Sequence, residues 1–575
     1  MHKSDAHIST DVLVIGGGLA GCFAAIKAAE SGAKVVVFDK ANIKRSGNGG
    51  TGLHRIPLIH PDYNYTFEEF AELNVQCAAG ICDEDISYEF ARDTRDRVLD
   101  LESYGIPVRK DDGSFIFKPA QDICPGEIAI WGPGPTVWHD VKPVLAGKVL
   151  DSAVKVYNRT AGIGLLTEDG QPGGRVIGAV GLGTRTGQFI VCAAKAVILT
   201  TGGSYRVSRH RNSLYAPTRF IECGCPTNSG DGQYMAYRAG ADIVNMEFLE
   251  LSPSWKDLPH WGCGPIGVVG REILGTGEPV SPSHEEASKF DRYTKTFTFG
   301  VDTEVLFNDA SVVPGFPEKK GEMLELLWAE ENEATSYAYL LWQKERGEDF
   351  TKGPIEFEWH PPYLHNNQAG VHMDTQGAST LQGLYCAGDI IGGGWRQSSG
   401  GAFVFGARAG HSAAEYAHRT SYIPINQDQV GAEKRRILQA TEVSPPQGYS
   451  WIELEDKARQ IVSEYGGPLT SNAKLQRGLM HLERIRTRYL PLLYARNTRE
   501  MLRVSEVHST FWIAEAHLSS ALFRQESRFP YVSLLYKRGC PIQDDQNWLR
   551  HSVIRNIEGQ MALGTKEIRR LEQNG

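Results

Sequence analysis

Residues 11–40 read DVLVIGGGLAGCFAAIKAAESGAKVVVFDK, and their order decides the fold. Val12–Ile15 is a short apolar strand, and Gly16-x-Gly18-x-x-Gly21 follows it at once. An Ala-rich helix runs to Gly32, a second strand covers Lys34–Phe38, and Asp39 closes it. Strand, glycine turn, helix, strand and acid together are the whole context that a dinucleotide fingerprint needs. The glycines let a helix N-terminus approach a pyrophosphate, where free N–H groups and the helix dipole favour negative charge. Asp39 would accept hydrogen bonds from a ribose diol.

The rest of the chain decides which dinucleotide. AKAVILTTGGS (194–204) is a buried strand ending at Gly202 and Gly203, and LQGLYCAGDI (381–390) is another ending at Gly388 and Asp389. Both are expected to return to the sheet of Val12–Ile15. A late strand with an acid at its end suits FAD, whose ribityl and pyrophosphate groups reach further than NAD-linked dehydrogenases require. The expected cofactor is FAD.

Bulk properties bound the remainder. With 575 residues the chain exceeds what one core normally serves, so two or more domains are expected. A net charge of −9 leaves no electrostatic footprint for nucleic acid. MHKSDAHIST lacks the apolar core of a signal peptide, and no long apolar run follows. The ten cysteines are scattered without a C-x₂-C pair, which argues against a disulfide framework or an internal iron–sulfur cluster, and no metal site is read. The expectation is a soluble, cytoplasmic chain. Peripheral membrane association through a partner and self-association are both compatible with it.

With these segments in place, the chain resembles the flavoprotein subunits of fumarate reductase and succinate dehydrogenase, and in frame it is most similar to their relative, the adenylylsulfate reductase alpha subunit. The motifs run in order. IKRSGNGGTGL (43–53) resembles the R-S-G/H loop over the flavin, and TNSGDGQYMAYRAGADIVNMEFLELSPS (227–254) the G-D-G-x-x-M-A segment. LHNNQAGVHMD (364–374) resembles H-x-x-x-G-G-I-x-x-D, and RQESRFPYVSLLYKRGCPIQDDQNW (524–548) the signature of the C-terminal part. The resemblance implies an α/β, Rossmann-type FAD-binding domain in two parts, 1–250 and 362–425. An α+β capping domain (251–361) would interrupt it, and a helical domain (426–575) would end the chain. Apolar spacing through Leu475, Leu479, Leu482 and Ile485 agrees with helices there. The resemblance adds Lys40, Arg45, Ser46, Gly47, Gly52, Asp231 and Ser399 to the cofactor contacts. It also implies a ferredoxin-like iron–sulfur subunit as electron partner.

Departures from the family are informative. Members with covalent flavin carry R-S-H-T, whereas this chain has Arg45-Ser46-Gly47-Asn48. No imidazole stands at that position, so non-covalent FAD is expected. Dicarboxylate members read Q-F-H-P-T where this chain has Glu250-Leu251-Ser252-Pro253-Ser254, which puts Ser252 and Ser254 at the places of two substrate grips. The arginine expected to meet sulfate in adenylylsulfate reductase also aligns with Ser254. A fixed cation is therefore missing, and charge-assisted bonds are roughly twice as strong as neutral ones.

The candidate catalytic residues are Arg271, His365 and Arg396. Arg396 lies in GGGWRQSSGGA (392–402) and matches the family's substrate arginine, and His365 matches its substrate-loop histidine. Arg271 stands near the place of the proton-donating arginine, and it reads equally as a surface arginine of the cap. An arginine donates a proton only within a relay that restores it, because its free pKa lies above about 12. Trp395 suits ring stacking or core packing. His139 and Asp140 can line the same cavity or serve the scaffold. These residues favour reduction of a small unsaturated anion. Adenylylsulfate reduction (AMP, sulfite) and a dehydrogenase or oxidase running in the oxidative direction are the alternatives.

Overall fold

The computed structural model describes residues 5–53, 55–63, 65–115, 141–208, 224–225, 227–250, 367–395, 397–530 and 533–571. It also gives the backbone of short strands at 117–118, 127–129, 253–255, 271–274, 306–309, 355–359 and 363–364. The central sheet comprises β1 (Ala6–Ile15), β2 (Val35–Asp39), β3 (Lys155–Asn158), β4 (Thr160–Thr167), β5 (Val176–Gly183), β6 (Phe189–Leu199) and β7 (Leu384–Cys386). Its order is β3-β2-β1-β6-β5-β4, with β7 beside β6. β1 lies parallel to both β2 and β6, with Ile15 opposite Phe38 on one side and Leu199 on the other. The two strands far along the chain therefore do return to the sheet of the fingerprint strand, β6 beside β1 and β7 beside β6.

Val12, Leu13 and Val14 are fully buried, as are Val37 and Phe38, and Val197, Ile198 and Leu199. Unbroken apolar runs of this kind mark parallel strands covered on both faces. Helix α1 (Leu19–Glu30) lies against the long α3 (Ser398–His418), which also meets α2 (Glu84–Ser103). The close contact of α1 with α3 rests on glycine: a Cβ on Gly406 would stand 2.7 Å from Ala20 O, and one on Gly410 2.6 Å from Ala24 O.

A second, five-stranded sheet runs Ile391–Gly392, Gly370–His372, Ile243–Val244, His551–Ile557 and Gln560–Lys566. It draws distant parts of the chain to the loop that follows Gly392. The strands 253–255, 271–274, 306–309 and 355–359 form a separate antiparallel sheet.

The helical region contains α4 (Trp451–Tyr465), α5 (Asn472–Arg488) and α6 (Thr498–Phe523). Leu475, Leu482 and Ile485 are buried on α5 at the expected spacing, with Leu479 partly buried. Among the described residues, the region closes on a strand hairpin, His551–Ile557 and Gln560–Lys566. Glu558 (φ 51°) and Gly559 (φ 82°) form a two-residue turn between paired strands, the geometry a type I′ hairpin demands. Among the described residues, no helix is long and apolar enough to cross a membrane.

Candidate active site

The three fingerprint glycines have different physical reasons. Gly16 (φ 108°) turns the chain, and a Cβ there would lie 2.4 Å from Thr200 O. A Cβ on Gly21 would meet Gly16 O at 1.9 Å, so only glycine lets α1 sit against the turn. Gly18 is different: among the described residues, the one atom within 4 Å of a Cβ there is Gly47 Cα, at 3.9 Å. Space opens above Gly18, at the N-terminus of α1. That helix has no side-chain cap and no acid in its first turn, so its leading N–H groups stay available to an anion.

Asp39, 2% exposed, accepts from Gly17 N (2.9 Å) through Oδ2 and from Ala41 N (2.8 Å) through Oδ1. A carboxylate oxygen has two lone pairs, so acceptor capacity remains for a ribose diol. Thr200 closes the turn by donating from Oγ1 to Gly16 O at 2.6 Å. Ser46 donates to Gly17 O at 3.0 Å, which ties the 45–52 loop to the fingerprint, and Arg45 Nη1 reaches Gly50 O at 3.4 Å. Gly52 closes that loop by donating to Gly49 O.

Asn48 is the hub that sequence reasoning missed. Its Nδ2 donates to Asp389 Oδ2 (2.9 Å) and to Tyr205 OH (2.6 Å), while Oδ1 accepts from Cys225 N (2.6 Å). Tyr205 OH donates in turn to Asp389 Oδ2 at 3.1 Å. Burial pushes the Asp389 carboxyl up from its ordinary range, and the Tyr205 and Asn48 donors oppose that rise. The signal available in the sequence was proximity: Asn48 follows the flavin-loop R-S-G, and Tyr205 follows the Gly pair 202–203.

Lys40 and Asp231 belong to an ionic cluster. The Lys40 ammonium lies 2.8 Å from Asp231 Oδ2 and 3.0 Å from Glu506 Oε1. Burial opposes its charge, but Asp231 and Glu506 more than offset it and hold its pKa above the lysine range. Asp231 begins the helix Asp231–Ala239. Gly202 is held against Asn228, whose Nδ2 would be 2.6 Å from a Cβ there, and Gly203 is buried.

The segments that flank the candidate residues Arg396 and His365 meet at Asn367. Its backbone O accepts from Gly394 N (2.7 Å) and its Oδ1 from Gln397 N (3.0 Å), while its Nδ2 donates to Gly388 O (3.2 Å). These bonds bracket position 396 and bind it to the segment that carries position 365. Asn367 is fully buried with φ 64°, an uncommon conformation for a residue other than glycine. Trp395, 3% exposed, packs against Cys77, Ala78 and Cys82. Ser399 is buried in the first turn of α3, which like α1 has no side-chain cap and no acid there.

Arg396, His365, His139, Asp140 and Ser252 lie outside the described residues. Arg271 and Ser254 are described by backbone alone: Arg271 pairs with Asp309 and Ser254 with Glu358 in the four-stranded sheet.

Two families match the sequence: FAD binding domain over residues 11–258, and Fumarate reductase flavoprotein C-term over residues 455–572. The chain therefore carries an FAD-binding domain followed by the C-terminal domain of fumarate reductase flavoproteins. This flavoprotein is 26% identical to the fumarate reductase flavoprotein subunit of Mycobacterium tuberculosis over 96% of each chain. It is 23% identical to the adenylylsulfate reductase subunit alpha of Megalodesulfovibrio gigas, over 94% of this chain and 92% of that one. Its fold superposes on adenylylsulfate reductase from Archaeoglobus fulgidus with a TM-score of 0.84 at 22% identity, over 99% of this chain and 97% of the other. The flavoprotein is an FAD-dependent oxidoreductase, and the open space above Gly18, the uncapped α1 and the Asp39 carboxylate fit the dinucleotide.

Proposed function

We propose that this flavoprotein reduces a small unsaturated anion, a C=C activated by an adjoining carboxylate or carbonyl. FAD is bound without a covalent link, and a separate iron–sulfur subunit delivers the electrons. The observation that carries the reading is the bracket built by Asn367, which ties the backbone of residues 394 and 397, on either side of position 396, to the turn two positions beyond 365. The described neighbours of the two cationic candidates, Gly394 and Gln397 for Arg396 and Asn367 for His365, are thereby joined at the uncapped N-terminus of α3, which supports a shared role for the pair.

FAD supplies hydride transfer to a substrate carbon. Arg396 and His365 bind the anionic end and stabilise the charge that builds on it as the double bond is reduced. Arg271 supplies the proton to the neighbouring carbon, recharged through a relay. The buried Gly393–Trp395 backbone keeps water from one side of the reacting groups.

Gly47 supports the reading of non-covalent FAD. Its φ is 81°, and a Cβ there would come within 3.1 Å of Gly18 Cα, so the position that carries histidine in covalent members is shaped for glycine.

Anaerobic oxidation of reduced methyl viologen by the FAD-loaded protein, with a panel of enoates that includes fumarate and crotonate, tests the proposal. Acceleration by at least one enoate is expected, and none above the enoate-free rate overturns it. Adenylylsulfate reduction is a second reading, supported by the close superposition on the Archaeoglobus enzyme. It requires AMP plus sulfite to reduce ferricyanide, and no reduction at saturating substrate removes it.

A further inference from the structure

The start of α2 and the end of the strand Gly370–His372, which pairs with Ile391–Gly392, are both gripped by the C-terminal tail. Asp83 occupies the N-cap of α2, where a carboxylate ordinarily accepts an N–H of the first turn, yet it makes no such bond. Oδ1 accepts instead from His551 Nε2 (3.0 Å) and from the backbone N–H of Arg569 (2.8 Å). Oδ2 stands 3.0 Å from His372 Nε2 and 3.0 Å from Arg569 Nη2. A cap is worth about 1 kcal/mol, so this diversion has to be offset by what the carboxylate does elsewhere.

One carboxylate and two imidazoles, their ligand atoms within 4.8 Å of one another, are a donor set that a divalent metal could use. Here a guanidinium supplies the positive charge: Arg569 Nη1 lies 3.0 Å from His372 Nε2. His551, His372 and Arg569 outweigh the effect of burial and hold Asp83 far below the carboxylate range, so it is an anion at any working pH.

The cluster touches the substrate loop directly. Asp83 N donates to Gly393 O at 2.7 Å, and His372 is in register with Gly392. A Cβ on Gly393 would lie 2.9 Å from Asp83 Oδ2 and 3.1 Å from His372 Cδ2, so side chains fill the space beneath that backbone. Trp395 then packs on Cys82, the residue before Asp83. Arg569 spans the whole arrangement, with Nε on Asp85 Oδ2 (2.8 Å) and Nη2 on Met373 O (2.9 Å). Its neighbour Arg570 contacts backbone instead, Cys82 O at 3.3 Å and Gly80 O at 3.2 Å.

We propose that Arg569, acting through Asp83 and His372, is a positioning residue that holds the backbone of residues 392–395 in register for the substrate. The proposal rests on the reading that this loop presents Arg396 to the anion. Removing the guanidinium leaves Asp83 without its cation and frees the Gly393 backbone to shift. A shift of about 1 Å at a substrate-binding group is enough to weaken binding and catalysis substantially.

The test uses the full FAD-loaded chain as Arg569→Ala, with Arg570→Ala as the control for tail docking alone. Hydrogen exchange by mass spectrometry is followed in the peptide spanning 388–400, beside KM and kcat for the enoate that the parent reduces. Arg569→Ala is expected to speed exchange in that peptide and to raise KM, each by about tenfold or more, with FAD stoichiometry and exchange over 9–30 unchanged. Arg570→Ala should stay within about twofold of the parent on both measures. Unchanged exchange in Arg569→Ala overturns the proposal, as does an equal effect in Arg570→Ala or faster exchange with an unaltered KM. Should Arg569→Ala not fold, His372→Gln is held to the same outcomes. If the parent reduces no enoate, the proposed activity fails, while the exchange data still decide whether Arg569 anchors the loop.

Discussion

The Asn48 amide donates to the Asp389 carboxylate at 2.9 Å, joining two residues 341 positions apart at the candidate cofactor site. Asp389 lies in the turn just after β7, and Asn48 belongs to the loop that ties back to the fingerprint through Ser46. Hydrogen bonds to charged groups are worth about 1.5–3 kcal/mol. Asn48→Leu also leaves Cys225 N without its acceptor and lets the Asp389 carboxyl rise further. FAD retention, followed by flavin fluorescence on dilution, should weaken by about tenfold or more. Unaltered retention would assign the bond to the scaffold alone.

Gly18 and Gly21 should fail differently when changed to alanine. At Gly21 the new methyl collides with Gly16 O inside the fold, so the apoprotein itself should lose at least about 1–3 kcal/mol. At Gly18 the backbone (φ −66°) accepts alanine without strain. Its methyl would project into the gap facing Gly47, so apoprotein stability should stay within about 0.5 kcal/mol while FAD binding is lost. Urea unfolding of both apoproteins, paired with FAD titration, separates the two effects. Equal destabilisation of both would contradict the open space above Gly18.

Flavin attachment is checked directly. Acid precipitation should release all the flavin from the parent into the supernatant, and a denaturing gel should show no fluorescent band. Gly47→His should gain no covalent flavin either. A side chain at φ 81° carries about 1–2 kcal/mol of strain, and the Cβ would press on Gly18. A fluorescent parent band would locate a covalent link elsewhere in the chain.

The parts legible in the sequence are those written locally. The βαβ fingerprint, the apolar runs at 194–204 and 381–390 and the spacing of Leu475, Leu482 and Ile485 each reflect neighbours within a few turns or strands of one another. Asn48, Tyr205 and Asn367 act through partners set by the tertiary fold, and no spacing rule reaches them. The Asp83 cluster is the clearest case, since His551 and Arg569 lie 468 and 486 positions away. Lys40, next to Asp39, reads locally as a cofactor residue, yet its ammonium is engaged by Glu506, 466 positions on. The Glu558–Gly559 turn was legible in principle. Its E-G pair sits between two short half-apolar strands, but helical spacing upstream set the expectation for the whole C-terminal part.

Glu506 ties that ionic cluster to acid stability. Its Oε1 is 3.0 Å from Lys40 Nζ, its Oε2 is 3.0 Å from Arg206 Nη1, and Arg503 completes the shell. Burial alone would raise its pKa, but Lys40, Arg206 and Arg503 overcome it and bring the carboxyl from 4.5 to about 2. An acid depressed in the folded state contributes stability above its unfolded pKa and loses it as pH falls through the folded value. The contribution is therefore complete above 4.5 and disappears on the way down to about 2. Glu506→Gln removes this term and leaves Lys40 and Arg206 short of negative charge in a buried site. The variant should be destabilised by about 3–5 kcal/mol at neutral pH. Its further loss between pH 4.5 and 2 should be shallower than the parent's by the uptake of about one proton. Thermal unfolding by circular dichroism across that range measures both, and parallel pH slopes in parent and variant would show that Glu506 does not carry the acid sensitivity.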